Sequence, residues 1–412
     1  MGTQLSEGWK EVWRPWYPIA EGLFYACQGF YSTGLSLYMS VFMVKVFNLP
    51  FATIAMLQTV LMLPSYLKTF PMAFCDKFPI GKWGRRRPYI AIAAVAYAAS
   101  FAVLSTITTF GTPWIVMIIA CYVAWVIADG NLDALTVDVT PPDKAGQMQG
   151  AAWGGRALGA ALGGTVFALS AANYGWTVTV LFIGLLSVVE CLSGLVMKEP
   201  KLTEERLASI DAFKRVAKKR DTWLGAIYMF IAFASLGSFG LAGSFYMMKG
   251  GIDSTMLGYV LTVQNIGAFF GCIAMGRLSD KTGTKKASYI GNALLFASCF
   301  LFLTIAPGNT TWLFAVAFTI GALQNAMITA LLRVIMELSP PEIGGAMFAT
   351  YASICNAGSA ILGAQLIAYS TSIFGMTNAM VSVAPFVFVA SLALPYMKLY
   401  VPEKEVEVGA KP

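Results

Sequence analysis

The chain has 412 residues, 57% hydrophobic and only 12% charged, with a formal net charge of +7 and a mean hydropathy of +0.67. Soluble domains are about 45–50% apolar and about 25% charged, so this composition leaves too little polar surface for a water-soluble body and points to lipid as solvent. The chain contains no histidine, which excludes His-ligated metal, a Ser-His-Asp triad and an imidazole relay, so a proton moved by side chains near neutral pH must ride on carboxylates.

The N-terminal stretch MGTQLSEGWKEVWRPW lacks the basic-then-apolar layout of a signal peptide. Its match to the M-G-x-x-x-S myristoylation pattern reads as chance in a chain held by many spans. Crossing roughly 30 Å of hydrocarbon takes about 20 residues, and twelve stretches are apolar enough to do so. They are 17–47, 51–75, 88–109, 113–138, 145–170, 175–197, 222–248, 255–278, 287–306, 312–338, 342–371 and 375–400, numbered here as spans 1 to 12. Cys27, Cys75, Cys121, Cys191, Cys272, Cys299 and Cys355 fall singly inside these stretches with no CxxC pair, and so read as small buried hydrophobes.

Span 1 carries Glu21, Tyr25, Gln28 and Ser32, a polar stripe of helical period. Lys68 sits about two turns from the end of span 2, where it either faces a cavity or snorkels to the interface. Asp76 and the basic run Arg85, Arg86 and Arg87 follow. In span 4, Asp129 and Asp133 are four residues apart, on one helix face, about 6 Å apart along the axis, and Trp125 continues that face. Two carboxylates this close in a poorly hydrated cavity resist ionising together, as a proton carrier requires. The competing reading is a structural pair bonded to Arg156 or Lys68. Asn131 points away and reads as a packing contact.

Arg156 lies near the middle of span 5, where its forked donors fit a carboxylate or phosphate on a solute, or else an internal bridge to Asp129 or Asp133. Gly155, Gly159 and Gly163 beside it are spaced for close helix contact. Glu190 in span 6 suggests no role. Lys198–Asp221 is the one long polar stretch and reads as a linker with an amphipathic helix. It divides a first bundle, residues 1–197, from a second, residues 222–412. Span 7 has a weaker polar face of Tyr228, Ser235 and Ser238. Span 10 carries Gln324 and Asn325, with Thr329 and Arg333 following Asn325 at four-residue steps.

If both termini are cytoplasmic, 23 of the 28 Lys and Arg lie in inside segments, with Lys45 and Lys249 near outside turns and Lys68, Arg156 and Arg333 within spans. That bias sets both ends inside and explains the net positive charge without nucleic acid.

The halves repeat. AFCDKFPIGKWGRRR (73–87) parallels GRLSDKTGTKK (276–286), placing Asp76 and Asp280 204 positions apart. DVTPPDKAGQMQG (138–150) parallels ELSPPEIGGAMFA (337–349), with Asp138 and Glu337 offset by 199. Two similar halves can rock about a site between them.

These motifs resemble the major facilitator superfamily, whose acid-Gly-basic loop recurs here between spans 2 and 3 and between spans 8 and 9. The first copy departs from that signature, with Ala73 in place of the leading Gly and FPIGKW lengthening the loop. LPSYLKTFPMAFCDKFPIGKWGRRRPYI (63–90) and ADGNLDALTVDVTPPDKAGQMQGAAWGGRALGAALGG (128–164) resemble its muropeptide-permease and acetyl-CoA-transporter branch, while GRRRP also occurs in sucrose-type sugar–cation symporters.

The resemblance implies an all-α membrane fold of twelve helices in two six-helix bundles, with spans 1, 4, 7 and 10 lining a central cavity and spans 3, 9 and 12 facing lipid. It implies a monomeric secondary transporter of the cell membrane, without cofactor or metal, coupled to protons or sodium. The substrate does not follow from the family, and it is Arg156 and the polar span faces that point to a polar, anionic organic solute. Asp129, Asp133 and Glu21 are then coupling candidates. Arg156, Lys68, Tyr25, Gln28, Trp125, Gln324, Asn325 and Arg333 are solute-binding candidates. Asp76 with Arg85, Arg86, Arg87 and Asp138, repeated as Asp280 with Lys285, Lys286 and Glu337, forms a candidate cytoplasmic gate. A sugar–cation symporter of the sucrose type, or a non-transporting membrane assembly or pigment-delivery factor of the same shape, is the alternative function. No phosphate-binding loop is present, and a membrane enzyme is disfavoured because a nucleophile–base pair is hard to build without histidine.

Overall fold

The computed structural model describes residues 9–37, 42–43, 46–49, 57, 60–61, 63–80, 84–201 and 210–399. The MGTQLS match, Lys45, residues 81–83 of the basic loop, residues 202–209 of the linker, Lys404 and Lys411 lie outside them. Among the described residues there is no strand, and eight helices are long and apolar enough to cross a membrane.

Helix Tyr17–Leu37 belongs to span 1, and Leu63–Tyr66 with Thr69–Lys77 to span 2. Arg87–Leu104 and Thr112–Val139 are spans 3 and 4, each with a proline in its first turn, where the missing N–H leaves no bond unmade. Spans 5 and 6 are the two limbs of Ala145–Leu195, which bends at Gly175 (φ +78°). In the second half, Arg220–Gly237 and Ala242–Gly250 make span 7, Ser254–Thr282 span 8, Thr284–Leu301 span 9 and Thr310–Leu338 span 10. Gly344–Ala357 opens span 11. Ala364–Ser382 bends at Gly375 (φ +72°) into span 12, which Ala384–Ser391 continues. The two bends are 200 positions apart, at left-handed backbone that only glycine adopts without strain. The internal repeat therefore extends to the hinge between the fifth and sixth helix of each half.

Two apolar cores form, one from spans 1 to 6 and one mainly from spans 7 to 12, and Trp153 packs against both. Large apolar side chains such as Ile92, Val95, Leu185, Phe270, Tyr369 and Leu392 stay exposed on the outer faces, the distribution expected of helices that meet hydrocarbon on one side and neighbours on the other. Span 1 packs along span 5 so closely that a Cβ at Gly155, Gly159 or Gly163 would fall on the carbonyl oxygen of Gly22, Ala26 or Phe30. That close approach carries the side chains of span 1 to Arg156.

Spans 2 and 4 pack on span 11, and span 5 packs on span 8. Polar contacts between the halves gather toward the end that bears the arginine cluster, called the basic end below. There Thr69 Oγ1 meets Thr350 Oγ1 at 3.2 Å, and Gly146 and Gly150 close on Gly276 and Cys272.

Candidate functional site

Lys68 does not snorkel. It is 5% exposed, and its ammonium donates to Asp129 Oδ2 at 2.6 Å and Asp133 Oδ2 at 2.8 Å. The two aspartates project from one face of span 4, as their spacing requires, and a cation from span 2 relieves their mutual repulsion. Around this triad span 1 contributes its polar stripe. Tyr25 Oη donates to Asp133 Oδ1 at 2.5 Å, and Gln28 Nε2 donates to Asp129 Oδ1 at 2.8 Å and to Glu190 Oε1 at 3.1 Å. Arg156 donates to Gln28 Oε1 and lies over the Trp153 ring, 5.3 Å from its centroid. Among the described residues it makes no ion pair with Asp129 or Asp133, so the internal-bridge reading belongs to Lys68, and Arg156 touches the aspartates only through Gln28. Arg156 is also half-buried where Lys68 is enclosed.

Glu21 is buried next to Thr136 and the two aspartates, and its Oε2 lacks a hydrogen-bond partner among the described residues. Trp125 is half-buried beside Tyr122, with ring centroids 6.3 Å apart. Gln324 on span 10 is buried, with Nε2 unpartnered among the described residues. Asn131 donates to Ile127 O at 2.8 Å and to Cys75 Sγ at 3.5 Å, the packing role its direction implies. Ser32 returns its hydroxyl to Gly29 O at 3.1 Å.

Two solute-binding candidates sit elsewhere. Asn325 spends its amide on Gly321 O, and its backbone carbonyl accepts from Cys272 Sγ, so this residue meets span 8. Arg333 is fully buried at the basic end. Its guanidinium pairs with Asp280 and Glu337 and also donates to Thr284 Oγ1 at 2.7 Å, Ser279 Oγ at 3.2 Å and Pro142 O at 3.0 Å. With its donors engaged, Arg333 has nothing left for a solute. The polar residues of span 7 turn away as well: Tyr228 donates to Asn292 Oδ1 on span 9, and Ser238 donates to Gly363 O on span 11.

At the basic end Asp76 pairs with Arg86, while Asp138 takes Arg85 Nη2 at 3.1 Å and Arg86 Nε at 3.5 Å. Arg87 stands apart and donates to Leu195 O at 2.8 Å. The second half keeps the acids and changes the base. Asp280 and Glu337 share Arg333, whereas Lys285 reaches the Pro395 carbonyl and Lys286 has no bond to Asp280 among the described residues. The expectation of an Asp280–Lys285–Lys286 cluster is therefore corrected: the acids pair with a base on span 10 and not with the lysines in the first turn of span 9.

Each Asp also reaches into the opposite half. Asp76 Oδ2 accepts from the Ala346 N–H at 2.7 Å, and Asp280 accepts from the Gly146 and Gln147 N–H groups at 2.8 Å each. Those donors are first-turn amides of the helices that open spans 11 and 5, which have no partner inside their own helix and carry the positive end of its dipole. Glu199 at the start of the linker, to which sequence reasoning gave no role, does the same for the first half. It accepts from the backbone N–H of Arg85, Arg86 and Arg87 at 2.6 to 3.3 Å and caps the start of span 3.

Solved structures share this arrangement at the level of fold. A major facilitator superfamily transporter, FucP, in its outward conformation matches with a TM-score of 0.71 and 12% identity, covering 92% of this chain and 98% of that one. A variant of the E. coli fucose:proton symporter FucP matches over the same shares, with a TM-score of 0.69 and 12% identity. The human organic anion transporter TETRAN matches with a TM-score of 0.68 and 15% identity, again over 92% and 98%. The family model described as Major Facilitator Superfamily matches residues 22–250 and 225–412. Together with the duplicated all-helical fold and the paired acid–base clusters, that match places the chain in the major facilitator superfamily, as a multi-pass membrane protein and secondary transporter, not an enzyme.

Proposed function

We propose that this chain carries a polar, anionic organic solute by alternating access, coupled to protons, through a site in its first half. The observation that carries the reading is the network Lys68–Asp129–Asp133 joined by Gln28 to Arg156. Ionisable groups inside a membrane span cost about 2.5–3.5 kcal/mol each and persist where they have work to do. Arg156, half-buried and, among the described residues, bonded only to a neutral amide and a ring face, is the group with donors to offer an anion. Asp129 and Asp133 take up and release the proton as Lys68 shifts between them. Glu21, Tyr25, Trp125 and Gln324 complete the set facing the solute.

The acid–base clusters at the basic end hold the two halves together in the state closed on that side. The positive-inside bias makes that side the cytoplasm, with both termini there, in the cell membrane. Residues 1–197 and 222–412 then move as the two bundles about the 198–221 linker, in a monomer. Resemblance of residues 63–90 and 128–164 to the muropeptide-permease and acetyl-CoA-transporter branch directs the solute search to muropeptides and CoA esters, then pterins, siderophores and disaccharides.

A thermal-shift screen of those compounds followed by uptake into proteoliposomes under an imposed pH gradient tests the reading. Asp129→Asn and Asp133→Asn should abolish accumulation and leave exchange intact, and Arg156→Ala should weaken binding of the anion. Gradient-driven uptake at the normal level in both Asp variants would remove them as coupling residues.

A further inference from the structure

The buried network of the first half holds more carboxyls than cations. Lys68 and Arg156 match the charges of Asp129 and Asp133, which leaves Glu21 and Glu190. Glu190 is fully buried on the span 6 limb and makes no ion pair among the described residues. Its Oε1 receives one neutral hydrogen bond, from Gln28 Nε2 at 3.1 Å, and its Oε2 has no partner among the described residues. An ionised carboxylate enclosed in this way, with only the neutral Gln28 and Tyr31 against it and Arg156 reaching it no closer than through Gln28, is among the least favourable groups a protein interior holds. A protonated acid fits the same geometry. Its carbonyl oxygen accepts from Gln28, and its hydroxyl lies near the Tyr31 and Tyr97 hydroxyls, which are 3.1 Å apart.

The charged and titratable groups around Glu190 come from five elements: Tyr31 and Cys27 on span 1, Tyr97 on span 3, Asp129 on span 4, Arg156 on span 5 and Cys191 beside it on span 6. Gln28 ties them together. Both of its N–H groups are given to carboxyls, Asp129 and Glu190, and its carbonyl is held by Arg156, so the amide has one orientation.

We propose that Glu190 is a proton-holding site of the transporter, switched through Gln28 when Arg156 engages the solute anion. This rests on the coupled-transport reading above but puts a carried proton on span 6. An anion on Arg156 removes the positive charge that Glu190 senses through Gln28 and frees the Gln28 carbonyl to turn. The anion and the Glu190 proton then favour one another, which is the reciprocity a symporter needs.

Infrared spectroscopy of the full-length protein in liposomes, in heavy water without solute, tests this directly. The wild type should show the carbonyl stretch of protonated carboxylic acids. Glu190→Gln should remove one component, Glu190→Asp should move it, and Gln28→Leu should shift it by removing its donor. Bands identical in the wild type and Glu190→Gln would overturn the proposal. If Glu190→Gln does not fold, an unmoved band in both Glu190→Asp and Gln28→Leu overturns it equally. The two readings separate cleanly. Loss of the Glu190 band while Asp129→Asn and Asp133→Asn still accumulate solute would sink the aspartates and leave Glu190 standing. An unchanged band with uptake that depends on the aspartates would do the reverse.

Discussion

Replacing Lys68 by methionine probes the centre of the site with little change of shape. The ammonium is the one cation within ion-pair reach of Asp129 and Asp133 among the described residues, at 2.6 and 2.8 Å, and all three side chains are at most 13% exposed. Removing one partner of a buried pair costs about 3–5 kcal/mol, because the charge left behind has lost both water and its counter-ion. For a bundle of this size about 1 kcal/mol moves Tm by roughly 2–4 °C, so Lys68→Met should lower Tm by roughly 6–20 °C. The triple variant Lys68→Met, Asp129→Asn, Asp133→Asn removes all three charges together and should regain most of that loss, since neutral isosteres in place of a buried ion network are often as stable as the network. Thermal unfolding of the purified protein in detergent reads both changes. A Lys68→Met protein within about 1 °C of wild type, or a triple variant as unstable as the single one, would refute the claim that this ammonium holds the aspartates.

Two further outcomes follow from the basic end. Arg333→Ala should raise maleimide labelling of Cys272, which is fully buried at the seam beside Gly150, in a variant that keeps this cysteine alone. Lys285→Ala and Lys286→Ala should leave labelling unchanged, and the opposite ranking would restore these two lysines to the candidate gate. Glu199→Gln removes a charged cap from three backbone N–H groups and should cost about 1 kcal/mol, read as a Tm loss of a few degrees. No loss would mean that water serves those amides equally well.

The helices and the duplication were legible because both are written in local composition and in spacing. Apolar runs mark the helices, and the Pro-Pro-acid motif fixes an offset of about 200 that the bends at Gly175 and Gly375 repeat. Spacing also placed Asp129 and Asp133 on one face and gave span 1 its polar stripe. It could not say which cation meets the pair, since Lys68 and Arg156 lie on different helices and only packing decides. Arg333 was misread for a related reason. Its four-residue steps from Asn325 and Thr329 continue a face toward the middle of the span, but its four-residue step to Glu337 points to the helix end, and the ion pair follows the second. Glu199 and Glu190 left no local signal, because their partners lie more than 100 residues away.

The two halves conserve the acids of the basic end more closely than the bases, and the geometry explains why. Position 134, which corresponds to Arg333 at the 199-residue offset, is an alanine, and the first half draws its bases from the loop at Arg85 and Arg86. A cation needs only to arrive within reach of its acid, and either a loop or a helix delivers it. The acid has a stricter task. Asp76 must meet the Ala346 amide, and Asp280 the Gly146 amide, and these two donors are themselves 200 positions apart. Each carboxylate therefore caps, in the opposite half, the equivalent helix, and the pair of bonds exchanges under the same pseudo-twofold relation that relates the bundles. Because the donors are backbone groups, the side chains at 146 and 346 carry no trace of this latch, and Gly146 is held instead by the close approach of Ser279 and Gly276, which a Cβ there would meet. A rocking motion that separates the halves at the basic end lengthens both bonds together, so opening costs two caps at once, and loss of either Asp should bias the transporter toward the state open on that side.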